Sequence, residues 1–159
     1  MLNLKDSSKS GFIKVAAASP KLKIADPDFN IREIINVLKK ADKLGVSLIV
    51  FPELCICGYT VADLYFQKLL QEKVLQNLAK LVNASKKIRS IFLVGLPLPL
   101  EGKLFNVAAV IHKGKILGIV PKTYIPGYKE FYEERWFSSS RDLTVREIKL
   151  FGKTVSIGA

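Results

Sequence analysis

With 159 residues, 49% of them hydrophobic, the chain has material for one ordinary core; its apolar runs are strand-sized and stop well short of the about 18 residues a membrane helix requires. Lys and Arg outnumber Asp and Glu by 25 to 14, a net charge of +11, yet the lysines are scattered in small groups. That pattern belongs to a solvated surface and makes a nucleic-acid partner the weakest choice, because a single-strand footprint interleaves clustered cations with aromatics.

The opening stretch MLNLKDSSKSG is polar and lacks the apolar segment of a secretory signal, so residues 1–11 are expected to be a disordered leader and 12–159 one folded unit. FIKVAAAS (12–19) has the composition of a buried strand. After a loop with two prolines, Ile31, Ile34, Ile35, Leu38, Ala41 and Leu44 recur at helical spacing, with Arg32, Glu33, Lys39 and Lys40 on the other face and Gly45 as the stop. VSLIVF then supplies a second strand. Strand, helix and strand in about 40 residues make a βαβ unit with parallel strands.

From Val61 to Lys87 the period is again helical, with Leu64, Leu70, Val74, Leu78, Leu81 and Val82 forming most of a stripe and a break expected near Gln71. IFLVGLPL (91–98) is a third strand. FNVAAVIH, the turn KGK and ILGIVP form a hairpin about Gly114. KTYIPGYKEFYEERWFSSS has no clean period, and long irregular segments of this kind are commonly functional. LTVREIKLFGKTVSIGA offers two more strands.

Chemistry is best sought at the carboxyl ends of strands, where open α/β sheets collect their ligands. Glu53, in LIVFPELCICGY, stands at such an end, and a carboxylate there needs a partner or a task. In an extended continuation it would share a side with Cys55 and Cys57. The two cysteines, one residue apart, are read as small buried hydrophobes. They are too close to staple a fold, which implies a reducing, cytoplasmic setting. His112 lies at a hairpin tip without companions for a metal site. Lys122 follows its own strand as Glu53 does. Were the two to converge, they would pair a general base with a cation able to steady an oxyanion.

The stretches FIKVAAASPKLKIADPDFN, LIVFPELCICGYTVADLYFQ and PKTYIPGYKEFYEERWF together resemble the nitrilase, or carbon-nitrogen hydrolase, superfamily. Within it, GYTVADLYFQ and GYKEFYEERWF point to the branch of amino-terminal glutaminase domains of glutamine-dependent NAD synthetases. The likeness runs from about residue 12 to the end. It implies an α/β fold, a four-layer αββα sandwich incomplete in this chain, and a Glu-Lys-Cys site that attacks an amide, with glutamine as the small-molecule substrate. Glu53 matches the general base and Lys122 the oxyanion-stabilising cation. Tyr59 and Tyr128 fall where this branch shapes its glutamine pocket, and Glu130 matches the second glutamate, with Glu133 as the competing register.

The chain departs from the pattern in one respect: no segment like the EICED motif that carries the family's nucleophilic cysteine occurs in it. Residues 12–159 are therefore expected to be the front part of a glutaminase domain, inactive alone, with no metal or cofactor of its own, ATP and Mg²⁺ belonging to a synthetase part. An uncovered apolar sheet face would favour a homo-oligomer. A free-standing amidase acting on another small amide or nitrile is the alternative, and a basic binding module the third.

Overall fold

The computed structural model describes residues 11–158, so residues 1–10 of the expected leader lie outside the described residues. The first unit is β1 (Val15–Ala17), α1 (Pro27–Lys43) and β2 (Leu48–Val50), with β1 and β2 parallel as the βαβ pattern requires. Asp26 caps α1 by accepting from the Phe29 backbone N–H, and Pro27 fills the first turn, where a missing N–H costs nothing. Gly45, at φ 69°, ends it: the Gly45 N–H donates to Asp42 O and the Val46 N–H to Ala41 O, a Schellman closure. Ile31, Ile34 and Leu38 are buried along the inner stripe, each worth about 1.5–3 kcal/mol.

The second helical stretch is divided differently from expectation. A short 3₁₀ turn (Ala62–Phe66) precedes α2 (Lys68–Ala84), and the break falls at Gln67, with extended φ/ψ, four residues before Gln71. The cause is tertiary. Tyr65 is pulled into the core, where its hydroxyl donates to the carbonyls of Gly58 and Tyr59, and the Gln71 side chain bridges back to the Tyr65 carbonyl. Gln71 therefore ties the turn to the helix.

β3 (Ile91–Leu100), β4 (Lys103–His112) and β5 (Lys115–Pro121) complete a five-stranded sheet in the order β1-β2-β3-β4-β5, parallel up to β3 and antiparallel beyond. β6 (Glu147–Leu150) and β7 (Lys153–Ser156) form a separate hairpin, tied to β5 by a bridge between Ile119 and Ile157. The three hairpins share one device, a two-residue turn with both φ values positive: Glu101–Gly102, Lys113–Gly114 and Phe151–Gly152. This is the turn whose twist matches that of the flanking strands.

The helices pack on each other and share one core with Ile49, Phe92, Val94, Leu96, Val107, Ala109 and Ile119 of the sheet. Alternation sends Val15, Val50 and Val120 to the other face, where they are 58%, 45% and 44% exposed. One helical layer, the five-stranded sheet and the short β6–β7 sheet are present in the described residues of the expected four-layer sandwich, and the main sheet's second face is open around Val15, Val50 and Val120.

Where β2 ends, the backbone passes so close to β3 that a side chain cannot fit between them. A Cβ on Gly95 would collide with the backbone N of Leu54 and stand 2.8 Å from Glu53 Cα. Gly95→Ala is expected to destabilise the chain by about 1–3 kcal/mol, the ordinary cost of overpacking. Urea unfolding checks this, and a midpoint equal to wild type would contradict the close approach.

Candidate active site

Glu53 is placed by the way β2 stops. The Phe51 N–H still donates to Leu93 O, Pro52 has no N–H to continue the ladder, and residues 53–57 turn, with Leu54 at φ 52°. The turn re-engages β3 when the Ile56 N–H donates to Gly95 O. The expected extended continuation, with Glu53, Cys55 and Cys57 on one side, is thus not formed. The cysteines turn into the core, where they are 1% and 0% exposed, while Glu53 faces outward.

Lys122 is fixed at both backbone ends: its N–H donates to Asn106 O and its carbonyl accepts from the Ser140 N–H. Its ammonium donates to Glu53 Oε1 at 2.8 Å and to Glu133 Oε2 and Oε1 at 2.8 and 3.0 Å. The two strand tips therefore meet. Glu133 is 2% exposed; it also accepts from the Tyr59 hydroxyl at 2.7 Å and from Asn106 Nδ2 at 3.4 Å. The same Asn106 nitrogen donates to Glu53 Oε1.

The second carboxylate of the cluster is Glu133 and not Glu130, which lies exposed on the preceding loop. The reason is local: a 3₁₀ turn at Glu133–Arg135, with the Glu133 N–H donating to Pro126 O, folds Glu133 inward, and the bridge of Ser138 to Phe105 carries the following residues along β4. Tyr59 joins the cluster; Tyr128 is 65% exposed, edge-on to Phe131, and stands apart from it. His112 ends β4 beside Ser90 O.

Asn106 escaped sequence reasoning. Its signal was a lone carboxamide in the apolar run LFNVAAV, where a buried polar group must find partners. It sits on the sheet face opposite the helices, two residues before Ala108, is 3% exposed, and bridges both carboxylates.

The cluster borders a cleft of about 370 Å³ lined by Val50, Leu93, Gly95, Ala108 and Val120. Burial of Lys122 opposes its charge, but its hydrogen bonds to Glu133 and Glu53 and their negative charges outweigh this and hold it above the ordinary lysine value. Burial, then the hydrogen bond to Glu133 and the charges of both carboxylates, push the Tyr59 phenol upward, keeping it a donor. Chemically this is a base beside a fixed cation and a hydrogen-bond donor, at the edge of an apolar cleft.

Neither cysteine can act as a nucleophile in this setting. Burial pushes both thiols up to about 12, and their Sγ–H groups are directed at the backbone carbonyls of Gly95, Leu54 and Gly58. Iodoacetamide is expected to leave the native chain unmodified at pH 8 and to label both cysteines once urea unfolds it. Because the folded pKa lies above the ordinary 9.0, the neutral thiols favour the fold fully below pH 9, and that contribution declines as pH rises toward 12. Fast native labelling, followed by mass spectrometry, would contradict this.

The sequence matches the carbon-nitrogen hydrolase family over residues 14–159. It is 36% identical over 137 residues to the glutamine-dependent NAD(+) synthetase of Mycobacterium leprae, covering 86% of this chain and 20% of that protein. Against its counterpart in Mycobacterium tuberculosis (strain ATCC 25618 / H37Rv) it is 35% identical over 157 residues, 99% of this chain and 23% of that one. The chain thus spans between a fifth and a quarter of the length of these relatives. The crystal structure of a glutamine-dependent NAD(+) synthetase from Cytophaga hutchinsonii superposes with a TM-score of 0.83 at 22% identity, over 92% of this chain and 25% of that one, a likeness of fold. With a family match over nearly its whole length and the sheet and helices of such a neighbour, this chain belongs to the carbon-nitrogen hydrolase family.

Proposed function

We propose that the chain forms the base and cation side of a cysteine-dependent glutaminase site, which releases ammonia from glutamine for an NAD synthetase. The observation that carries this is the Lys122 ammonium, held between the carboxylates of Glu53 and Glu133 at the edge of the apolar cleft. The mycobacterial relatives supply the substrate class.

In the proposed reaction Glu53 takes the proton of a thiol brought from outside these residues, and the thiolate attacks the carboxamide carbon of glutamine. Lys122, unable to give up its proton between two carboxylates, steadies the tetrahedral oxyanion. Glu53 returns the proton to the departing nitrogen, the C–N bond breaks, and a thioester and ammonia result. Glu53 then draws a proton from water, which attacks the thioester and frees glutamate and the thiol. Glu133 holds Lys122 in place. ATP and Mg²⁺ are proposed for the amidating half, and no residue of this chain is assigned to them.

The test is a chimera in which this chain replaces the matching segment of the Mycobacterium tuberculosis synthetase. The chimera is expected to release ammonia from L-glutamine, and the 159-residue chain alone is expected to release none, since both of its thiols are buried. A folded chimera that leaves glutamine intact, or cysteine-dependent turnover by the chain alone, would overturn the proposal.

A further inference from the structure

Asp63 lies four residues beyond Tyr59, in the 3₁₀ turn, and its carboxylate faces three donors. Arg135 grips it with two nitrogens, Nε to Oδ1 at 2.7 Å and Nη2 to Oδ2 at 2.8 Å, and the Trp136 indole N–H donates to Oδ1 at 2.9 Å. Both charged side chains are 60% exposed, so the pair adds little stability as an isolated surface bridge. Its geometry suggests another use, since a bidentate arginine pair fixes orientation as well as distance.

The positions of the donors define that use. Arg135 and Trp136 follow Glu133 by two and three residues, and both the Trp136 and Phe137 N–H groups donate to the Glu133 carbonyl. On the other side, Asp63 shares its turn with Tyr65, whose hydroxyl holds the Gly58 and Tyr59 carbonyls and whose ring packs against Trp136 at 5.7 Å and Phe137 at 4.8 Å. The segments 58–66 and 133–137 are thereby zipped together along their length. The inner end of the zip is the hydrogen bond from the Tyr59 hydroxyl to Glu133, and Glu133 in turn holds Lys122.

We propose that Asp63 is a positioning residue: by latching Arg135 and Trp136 from the surface, it sets where the Glu133 carboxylate stands relative to Tyr59 and Lys122. Asp63 touches no reacting atom. Its consequence for turnover rests on the glutaminase reading above, whereas its consequence for the cluster does not.

Trp136 is the chain's one tryptophan, so its emission reports the latch directly. Asp63→Ala is expected to shift that emission to the red with the far-ultraviolet circular dichroism unchanged. It is also expected to erase the Lys122 ammonium signal from ¹⁵N-lysine spectra, through faster proton exchange, with Lys122→Arg giving the assignment. Asp63→Asn, which keeps an acceptor for the indole, should fall between. In the chimera, kcat should drop about tenfold with KM unchanged, the scale of a small misplacement in a catalytic group. A merely stabilising surface pair would lower Tm and, because the indole bonds Asp63 directly, would shift the Trp136 emission too, but it would leave the Lys122 signal and kcat unmoved. An unshifted Trp136 emission, or a Lys122 signal as persistent as in wild type, overturns the proposal. If the unmutated chimera is inactive, the glutaminase reading fails and the Lys122 signal still decides the latch.

Discussion

Glu53→Gln in the chimera is expected to lower glutamine turnover by about a thousandfold, within the range that a lost general base accounts for. The amide keeps the size of the carboxylate and still offers an oxygen to Lys122, which lies 2.8 Å from Glu53 Oε1. What it lacks is basicity, and both the thiol and the hydrolytic water depend on a base. Stability should change little, by less than about 1 kcal/mol, because the Glu53 side chain is 41% exposed and its ion pair is screened by solvent. The decisive comparison is ammonia release against the urea midpoint of the same protein. Turnover at the wild-type rate by folded Glu53→Gln would remove Glu53 from the reaction, and loss of folding would make it a structural residue.

The contrast between Glu53 and Glu133 also shows what could be seen in the sequence and what could not. The sheet was legible because its rules are local: strand-sized apolar runs, a helical stripe between Ile31 and Leu44, and turn glycines at 45 and 114. Glu53 and Lys122 were legible for a related reason, each following an apolar strand at the end where such sheets gather their chemistry. The segment 122–140 has no period, so its register was open, and Glu133 was chosen over Glu130 by contacts far off in sequence: Tyr59, Asn106 and the passage of Ser138 beside β4. The same limit hid the break at Gln67, where the burial of Tyr65, and not the propensity of Gln71, decides where α2 begins. Asn106 was legible in principle, as a carboxamide in an apolar strand, but only the folded chain shows which carboxylates it bridges.

Lys122→Met should cost about 3 kcal/mol of stability, at the lower end of what breaking a buried pair does, because it leaves the enclosed Glu133 charge with only neutral donors. The Glu133 side chain is 3% exposed, and without the ammonium its remaining partners are the Tyr59 hydroxyl and the Asn106 amide. Adding Glu133→Gln removes that stranded charge and is expected to recover most of the loss, since an uncharged pair of similar volume carries no comparable desolvation cost. The dependence on pH has a fixed sign. A lysine whose folded pKa is raised contributes its full stability below the ordinary value of 10.5 and loses it as pH rises through the folded value. The gap between wild type and Lys122→Met should therefore be constant from neutral pH to about 10 and narrow beyond it. Turnover separates from stability here: without the cation, the oxyanion loses its main partner, about a hundredfold or more in kcat, and the second substitution should restore none of it. Urea midpoints of the three proteins across pH, set beside ammonia release by the matching chimeras, test both statements. If Lys122→Met were as stable as wild type, Glu133 would not depend on the ammonium; if the double variant regained turnover, Lys122 would be a structural counter-ion and the oxyanion would have to be held elsewhere.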